Sequence, residues 1–177
     1  MCTNEEPQAA NQPERVPVMK SPEELTELFR SMGRKVTPQR QRIFRALQGE
    51  DSHPSAEWVY QVASTDMETI SLKTVYQTLH ELAELGEIQA LDLGTGTTRF
   101  DPNVEISHHH LVCRSCGKVR DLFADFSGLS ISASQAEGFV VGKAEVVFRG
   151  LCQECHEKLP TVPGLRPPPN SSINSQT

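Results

Sequence analysis

The sequence predicts an α+β protein in two parts, a winged helix-turn-helix domain followed by a small α/β domain. Three observations support this fold class. Four helix-like segments with recognisable start signals occupy the chain from residue 21 to about residue 86. A short hairpin pattern follows them, and beyond about residue 100 the remaining segments are mostly strand-like. A chain of 177 residues is long enough for one good core or two small ones.

Local signals mark both ends of the helices in the first part. Glu24 completes a capping box with the serine that opens the first helix. Pro38 occupies the first position of the second helix, directly after a threonine cap. Gly33 and Gly86 are expected to end the first and fourth helices. The expected starting points are Ser21, Thr37, Pro54-Ser55 and Ser71.

The segment EIQALDLGTGTTRFD, residues 87–101, is typical of two short strands around the turn Gly94-Thr95-Gly96. Helices followed by such a hairpin predict a winged helix, whose helix from Ser71 would enter the major groove of DNA. A helical bundle without DNA binding would show the same apolar periodicity. The polar side chains of that helix expected to face DNA are Lys73, Thr74, Tyr76 and Gln77.

The net charge of −6 argues against a nucleic-acid partner, but the distribution of charge favours one. The stretch 30–45 carries six basic residues and no acidic one, which is the local excess that phosphate contacts require. A solvated helix face is the alternative interpretation. The six residues are Arg30, Arg34, Lys35, Arg40, Arg42 and Arg45.

Residues 1–20 and 160–177 are polar and proline-rich, and we expect flexible tails there. No stretch approaches the roughly 20 apolar residues that cross a bilayer, and the N-terminus lacks the apolar centre of a secretory signal. We therefore expect a cytoplasmic protein without membrane contact. A reducing compartment favours metal binding over disulfides for paired cysteines.

The second part combines strand-like segments at 108–113, 118–123 and 139–150 with a helix expected from Phe126 to Glu137. A domain of this size is too small to be held together easily by its apolar core alone.

Two C-x-x-C pairs predict how that domain is stabilised. Cys113 and Cys116 form a zinc knuckle, in which Gly117 permits the tight turn that directs both sulfurs inward. Cys152 and Cys155 repeat the spacing. Four thiolates leave no open coordination position, so the predicted zinc ion is structural. Unligated thiols and a redox centre are the alternatives, and the second would call for a thioredoxin-like βαβ pattern.

Histidines and aspartates suggest a second metal site. In a strand, His108 and His110 face the same way while the residue between them points elsewhere. Asp101, Asp121 and His53 are further candidate ligands, although a solvated histidine run would look the same. A mixed nitrogen and oxygen site suits Fe(II), Mn(II) or Zn(II). Because His53 belongs to the helical part, the ion would clamp the two parts together.

Two other function classes fit the sequence less well. A metal-dependent hydrolase would need a general base beside an open coordination position, and the chain has no H-E-x-x-H helix. A zinc-stapled interaction module without DNA binding fits the basic stretch and the hairpin poorly. Both observations favour a regulator over an enzyme.

Several motifs together resemble the ferric uptake regulator (Fur) family of metal-dependent bacterial repressors, over roughly residues 21–159. They are VTPQR, HPSAEWVY, SLKTVYQTLHELAELGEI, TRFD, HHHLVCRSCGKVRDL and GLCQEC. The resemblance implies a winged-helix DNA-binding domain over 21–101 and a dimerisation and metal-binding domain over 102–159. It also implies that Arg40 and Tyr76 contact DNA.

Within that family the chain looks closest to the peroxide-sensing, PerR-like branch, because all five ligands of that branch's regulatory ion have counterparts here. The resemblance implies a homodimeric repressor of operator DNA, without a small-molecule substrate, that responds to peroxide through Fe(II) or Mn(II). An iron- or zinc-uptake repressor of the same family is the alternative. The five counterparts are His53, Asp101, His108, His110 and Asp121.

Overall fold

The computed structural model describes residues 19–104, 107–126, 128–142 and 144–158. Apart from residues 19–20, the two expected tails lie outside this part of the chain. No helix within the described residues is both long and apolar enough to cross a membrane. The helices are α1 Pro22–Ser31, α2 Pro38–Leu47, α3 Ala56–Ser64, α4 Leu72–Glu84, α5 Ala133–Ala136 and α6 Gln153–Glu157. The strands are β1 Gln89–Leu91, β2 Arg99–Asp101, β3 His109–Cys113, β4 Val119–Leu122 and β5 Val147–Gly150.

The expected starts of the first four helices are confirmed. The Ser21 hydroxyl accepts the backbone N–H of Glu24, whose carboxylate accepts the Ser21 N–H in return. Thr37, Ser55 and Ser71 each accept a backbone N–H from three residues further on. Such caps satisfy donors that the first turn of a helix leaves unpaired. The four helices therefore begin where the sequence places them.

One apolar core holds the four helices together. Phe29 of α1 and Phe44 of α2 meet edge to face, with ring centroids 5.1 Å apart. Val75, Leu79 and Leu82 project from α4 into the same core. Val62 of α3 and Leu72 of α4 lie outside this core and are more than a third exposed.

The hairpin is confirmed as an antiparallel pair of strands in which Gln89 lies opposite Asp101. Phe100 of β2 is fully buried in the helical core. Its backbone N–H donates to the carbonyl of Pro54, 3.0 Å away, directly before α3. This bond places the end of β2 beside the loop that carries His53.

The second part is a three-stranded sheet in the order β4-β3-β5, with β3 antiparallel to β4 and parallel to β5. The register sets His110 opposite Asp121 on one side of β3, and Cys113 opposite Gly150 on the other. Its small core also includes two residues from the hairpin of β1 and β2, which forms the wing. The buried members are Leu91, Leu93, Val112 and Val119.

Two expectations for the second part were wrong. The helix expected from Phe126 to Glu137 is a single turn, α5, because its capping box begins only at Ser132 and its end follows at once in the positive φ of Glu137. Among the described residues, the strand expected over 139–150 is confined to β5, and residues 139–142, 144 and 145 are exposed. The short helix α6 was not expected.

Candidate metal centres and the DNA-facing helix

The four cysteines are brought together by the sheet. Cys113 ends β3 and Cys116 lies in the turn that follows, whereas Cys152 directly precedes α6. The parallel pairing continues past β3, where the Arg114 N–H donates to the Gly150 carbonyl at 2.8 Å. The second cysteine pair therefore lies alongside the first, although Cys116 and Cys152 are 36 positions apart in sequence.

The geometry of these thiols fits a structural zinc ion. All four sulfurs lie within 4.8 Å of one another, and the Sγ atoms of Cys116 and Cys152 are 3.7 Å apart. A tetrahedron with zinc–sulfur bonds of about 2.3 Å requires sulfurs about 3.8 Å apart. Backbone N–H groups of Cys116 and Cys152 lower the pKa of Cys113 to about 6, which favours the thiolate that a metal requires. Gly117 has a φ of +72°, as the predicted turn demands.

The second cluster draws its side chains from four elements of the fold. His53 lies in the loop between α2 and α3, and Asp101 ends β2. His108 directly precedes β3, His110 lies within it, and Asp121 lies opposite on β4. His53 and Asp101 are 1% and 0% exposed, so the cluster is buried between the wing and the sheet.

Nitrogen and oxygen atoms converge within this cluster. The Nε2 atom of His108 lies 2.9 Å from Oδ2 of Asp101 and 3.2 Å from Nε2 of His110. The Nε2 atom of His53 lies 3.0 Å from Oδ1 of Asp121 and 3.6 Å from Oδ1 of Asp101. Donor atoms bound to one ion at about 2.1 Å sit roughly 3–4 Å apart. The observed separations therefore match a shared ion.

Unpartnered buried atoms support the same interpretation. Both ring nitrogens of His53 and the Oδ1 atom of Asp121 are buried without a hydrogen-bond partner among the described residues. Buried polar atoms that lack a partner are costly in a folded protein. The short separation between His53 and Asp121 does not have hydrogen-bond geometry, and a cation between them would satisfy both atoms. The donor set therefore fits a divalent metal ion.

The charges of the cluster are strongly coupled. Burial alone would lower the pKa of His53, but the carboxylates of Asp101 and Asp121 raise it to about 9. Burial would raise the pKa of Asp101, but hydrogen bonds from the imidazoles, His108 first, lower it instead. The pKa of Asp121 is lowered chiefly by His53, against the effect of burial. Without metal, a proton on His53 partly balances the two carboxylates.

The backbone of His53 has a φ of +54°, in the left-handed region that non-glycine residues seldom occupy. Such a conformation persists only where the surroundings enforce it, and it is common at ligand sites. Here it turns the imidazole inward, towards the carboxylates.

Asn103 was not among the site residues predicted from the sequence. Its backbone N–H donates to Oδ1 of Asp101 at 2.7 Å, and its side-chain amide donates to Oδ2 of Asp121 at 3.1 Å. The residue therefore orients both carboxylates. Its position two residues after an aspartate, typical of a local side-chain turn, was the available signal. His109 points away from the cluster, as expected, and its ring packs on Phe126.

Arg40 is held within the protein rather than extended into solvent. Its guanidinium donates to Glu81 at 2.5 Å and to the Lys35 carbonyl at 3.1 Å, and it covers the ring of Phe29 at 5.3 Å. Arg34 donates to the same carboxylate at 3.1 Å. Acidic side chains of α4 therefore neutralise part of the basic stretch.

The other residues expected to face DNA lie on the first two turns of α4. Lys73, Tyr76 and Gln77 are exposed, and Thr74 is half-buried. The Thr74 hydroxyl lies 2.9 Å from the hydroxyl of Ser71, the residue that caps the helix. Tyr76 and Gln77 each donate a hydrogen bond to a carboxylate.

Comparison with known proteins agrees with this architecture. The model of the ferric uptake regulator family matches residues 31–149. The peroxide-responsive repressor PerR of Staphylococcus aureus (strain USA300) is 34% identical over 137 residues, which cover 77% of this chain and 92% of the relative.

Solved structures give the same fold. The Helicobacter pylori ferric uptake regulator Fur superposes with a TM-score of 0.64 at 21% identity, covering 80% of this chain and 97% of that one. The ferric uptake regulator from Pseudomonas aeruginosa with manganese gives a TM-score of 0.53 at 28% identity, covering 72% and 97%.

A winged helical domain joined to a small sheet domain through a cluster of metal-binding side chains defines a metal-responsive regulator. The chain belongs to the ferric uptake regulator family. It is therefore a transcriptional regulator and not an enzyme.

Proposed function

We propose that this regulator is a metal-dependent repressor that binds a double-stranded DNA operator as a homodimer and responds to peroxide. Residues 21–101 would form the DNA-binding domain, and residues 102–159 the dimerisation and metal-binding domain. The single observation that carries the proposal is the buried cluster that draws its ligands from both domains. The proposed ligands of the regulatory Fe(II) or Mn(II) ion are His53, Asp101, His108, His110 and Asp121.

A shared ion would couple metal occupancy to DNA binding. His53 lies next to the start of α3, and Asp101 ends the wing, whereas Asp121 belongs to the sheet. An ion bound by all three would fix the winged helix against the sheet and so set the direction of α4. In a dimer this would fix the spacing of two recognition helices, which must match two successive major grooves. The proposed DNA contacts are Arg40, Lys73, Thr74, Tyr76 and Gln77.

An exposed apolar surface on the second domain supports a homodimer. Phe139 and Val140 are 81% and 99% exposed. Exposed apolar patches of this kind mark protein–protein interfaces. The large apolar residues exposed in the described part of this domain are Val104, Leu111, Phe123, Leu129, Ile131, Phe139, Val140, Val141 and Leu151.

Peroxide sensing is supported by the PerR relative and by the donor set. Fe(II) in this site would supply the redox chemistry that activates peroxide. An imidazole of His53 or His108 would then take up one oxygen atom from peroxide, and water would leave. A modified ring would no longer fit between the buried carboxylates, so the two domains would separate and the repressor would leave its operator.

Mass spectrometry of the Fe(II)-loaded protein tests this function. After treatment with peroxide, peptides containing His53 or His108 should gain the mass of one oxygen, and affinity for the operator should fall. The Mn(II)-loaded protein, treated identically, should bind DNA without modification. Unmodified histidines in a protein that remains on DNA would eliminate peroxide sensing.

An iron- or zinc-uptake repressor is the second candidate, and the manganese-bound ferric uptake regulator among the similar structures favours it. Operator binding titrated with each metal, with and without peroxide, separates the two. An uptake repressor would respond to the concentration of its metal and be indifferent to peroxide.

A further inference from the structure

Two exposed polar side chains of α4 donate hydrogen bonds to carboxylates. The Tyr76 hydroxyl donates to Oε1 of Glu57, on α3, at 2.7 Å. The Gln77 amide nitrogen donates to Oε1 of Glu81, one turn further along α4, at 3.2 Å. Neither carboxylate belongs to the proposed metal site.

The direction of the tyrosine bond follows from chemistry. The hydrogen bond from Tyr76 lowers the pKa of Glu57 and raises the pKa of Tyr76, so at neutral pH only the phenol carries a proton. A phenol has one hydrogen. Because that hydrogen is committed to Glu57, the oxygen of Tyr76 can only accept a hydrogen bond from a further partner.

Glu81 fixes the amide of Gln77 in a similar way. A carboxylate accepts and cannot donate, so the nitrogen of the amide must face it and the carbonyl oxygen is turned elsewhere. Glu81 is itself anchored, because it also accepts from Arg40 at 2.5 Å and from Arg34 at 3.1 Å. The orientation of Gln77 is therefore set by a side chain that is held in place.

The same carboxylates disfavour contacts between these two residues and the DNA backbone. Phosphate oxygens accept hydrogen bonds, but the one hydrogen of Tyr76 is donated to Glu57 and the amide nitrogen of Gln77 is turned towards Glu81. Lys73, one turn before Gln77, is exposed and carries the positive charge that suits a phosphate contact. Tyr76 and Gln77 are therefore better suited to contact the edges of bases than the phosphates.

We propose that Glu57 and Glu81 are positioning residues that make Tyr76 and Gln77 accept hydrogen bonds from exocyclic amines in the major groove. The bases that offer such amines are adenine, through N6, and cytosine, through N4. This inference rests on the DNA-binding function proposed above.

Base analogues test the inference with the full-length, Mn(II)-loaded protein. The probe is a duplex that this protein selects from a random-sequence pool. Each adenine is replaced in turn by purine, and each cytosine by 2-pyrimidinone, which removes only the amine. We expect a loss of affinity of roughly 3- to 10-fold at one or more positions, the value of a single hydrogen bond.

Variants assign that loss to the proposed residues. In Tyr76→Phe or Gln77→Ala, the penalty for removing the amine at the corresponding position should vanish. Glu57→Ala and Glu81→Ala should weaken the preference for the amine while zinc and manganese contents stay unchanged. Glu57→Gln keeps an acceptor and should retain the preference. The matched control is Glu84→Ala, on the same helix, which should show the same preference for the amine as the unsubstituted protein.

Three results would overturn the inference. One is a selected duplex whose binding is indifferent to every amine; another is sensitivity only to replacement of thymine by uracil, which would mean that Tyr76 reads methyl groups. The third is unaltered amine preference in both alanine variants. In these cases the DNA-binding function stands, whereas a protein that selects no sequence at all fails both proposals.

Discussion

The two clusters of metal-binding side chains differ in where their ligands come from and how deeply they are buried. The cysteine cluster is built within one domain, and three of its four residues are at least partly exposed. The histidine and aspartate cluster is mostly buried and takes His53 and Asp101 from the winged domain. Zinc in the first would stabilise one domain, whereas an ion in the second would join two. Location, as much as chemistry, separates a structural metal from a regulatory one.

The largest expected effect comes from breaking the cysteine cluster. Cys113→Ser or Cys152→Ser should eliminate bound zinc, and with it an apparent binding free energy of about 10–16 kcal/mol that helps to fold a small domain. We expect loss of the dimer as well. Metal analysis and size-exclusion chromatography measure both, with Ser115→Ala in the same knuckle as control. A zinc-free Cys113→Ser dimer that still responds to metal would contradict a structural role.

Breaking the second cluster should have a narrower effect. Asp121→Ala should abolish the regulatory ion but retain zinc and the dimer, because its carboxylate lies outside the cysteine cluster. Loss of a group that merely supports a ligand costs roughly 10- to 100-fold in metal affinity, so loss of a proposed ligand should cost more. Titration of Mn(II) and operator binding provide the measurement, and His109→Ala is the control on the adjacent strand. Equal loss of zinc would show that the two sites are not independent.

In the second cluster, a proton and the metal ion compete for His53. Without metal, His53 binds a proton with a pKa of about 9, which binding of an ion must displace. Apparent affinity for Mn(II) should therefore rise by about tenfold per pH unit below pH 9, and more slowly above it.

The stability of the metal-free fold should change in the opposite direction. The raised pKa of His53 contributes stability that is fully present below about pH 6.5, the ordinary histidine value. That contribution is lost as pH rises through 9. Calorimetric titrations and urea unfolding between pH 6 and 9 measure the two effects, and His53→Gln should flatten both profiles. A flat profile in the parent would disprove the protonated state.

The smallest expected effect concerns Asn103, which supports two carboxylates without joining the proposed donor set. Asn103→Ala should weaken Mn(II) binding by roughly tenfold, the lower end for a group that orients ligands, and leave zinc binding unchanged. Asn103→Asp, which adds a negative charge beside Asp101 and Asp121, separates loss of hydrogen bonds from a change in charge. Unchanged Mn(II) affinity in Asn103→Ala would mean that the carboxylates orient themselves.

Local signals in the sequence determined the first half of the fold. Capping side chains such as Ser21 and Ser71 act on backbone groups within three residues, so their effect can be read without knowing the rest of the chain. The same holds for the C-x-x-C pairs, whose spacing alone brings two sulfurs to one turn. In the second domain such signals are sparse. The helix expected from Phe126 is in fact the single turn that Ser132 caps.

The sequence by itself indicated the candidate ligands, because residue type and spacing decide which side chains can bind a metal. Only the tertiary structure decided that His53 and Asp101 meet Asp121 in a buried site, since β-strand register and the packing of the wing join residues far apart in the chain. It also decided which partners Tyr76 and Gln77 have. Hydrogen bonds made across helices, such as that from Tyr76 to Glu57, depend on packing distances that no local pattern encodes.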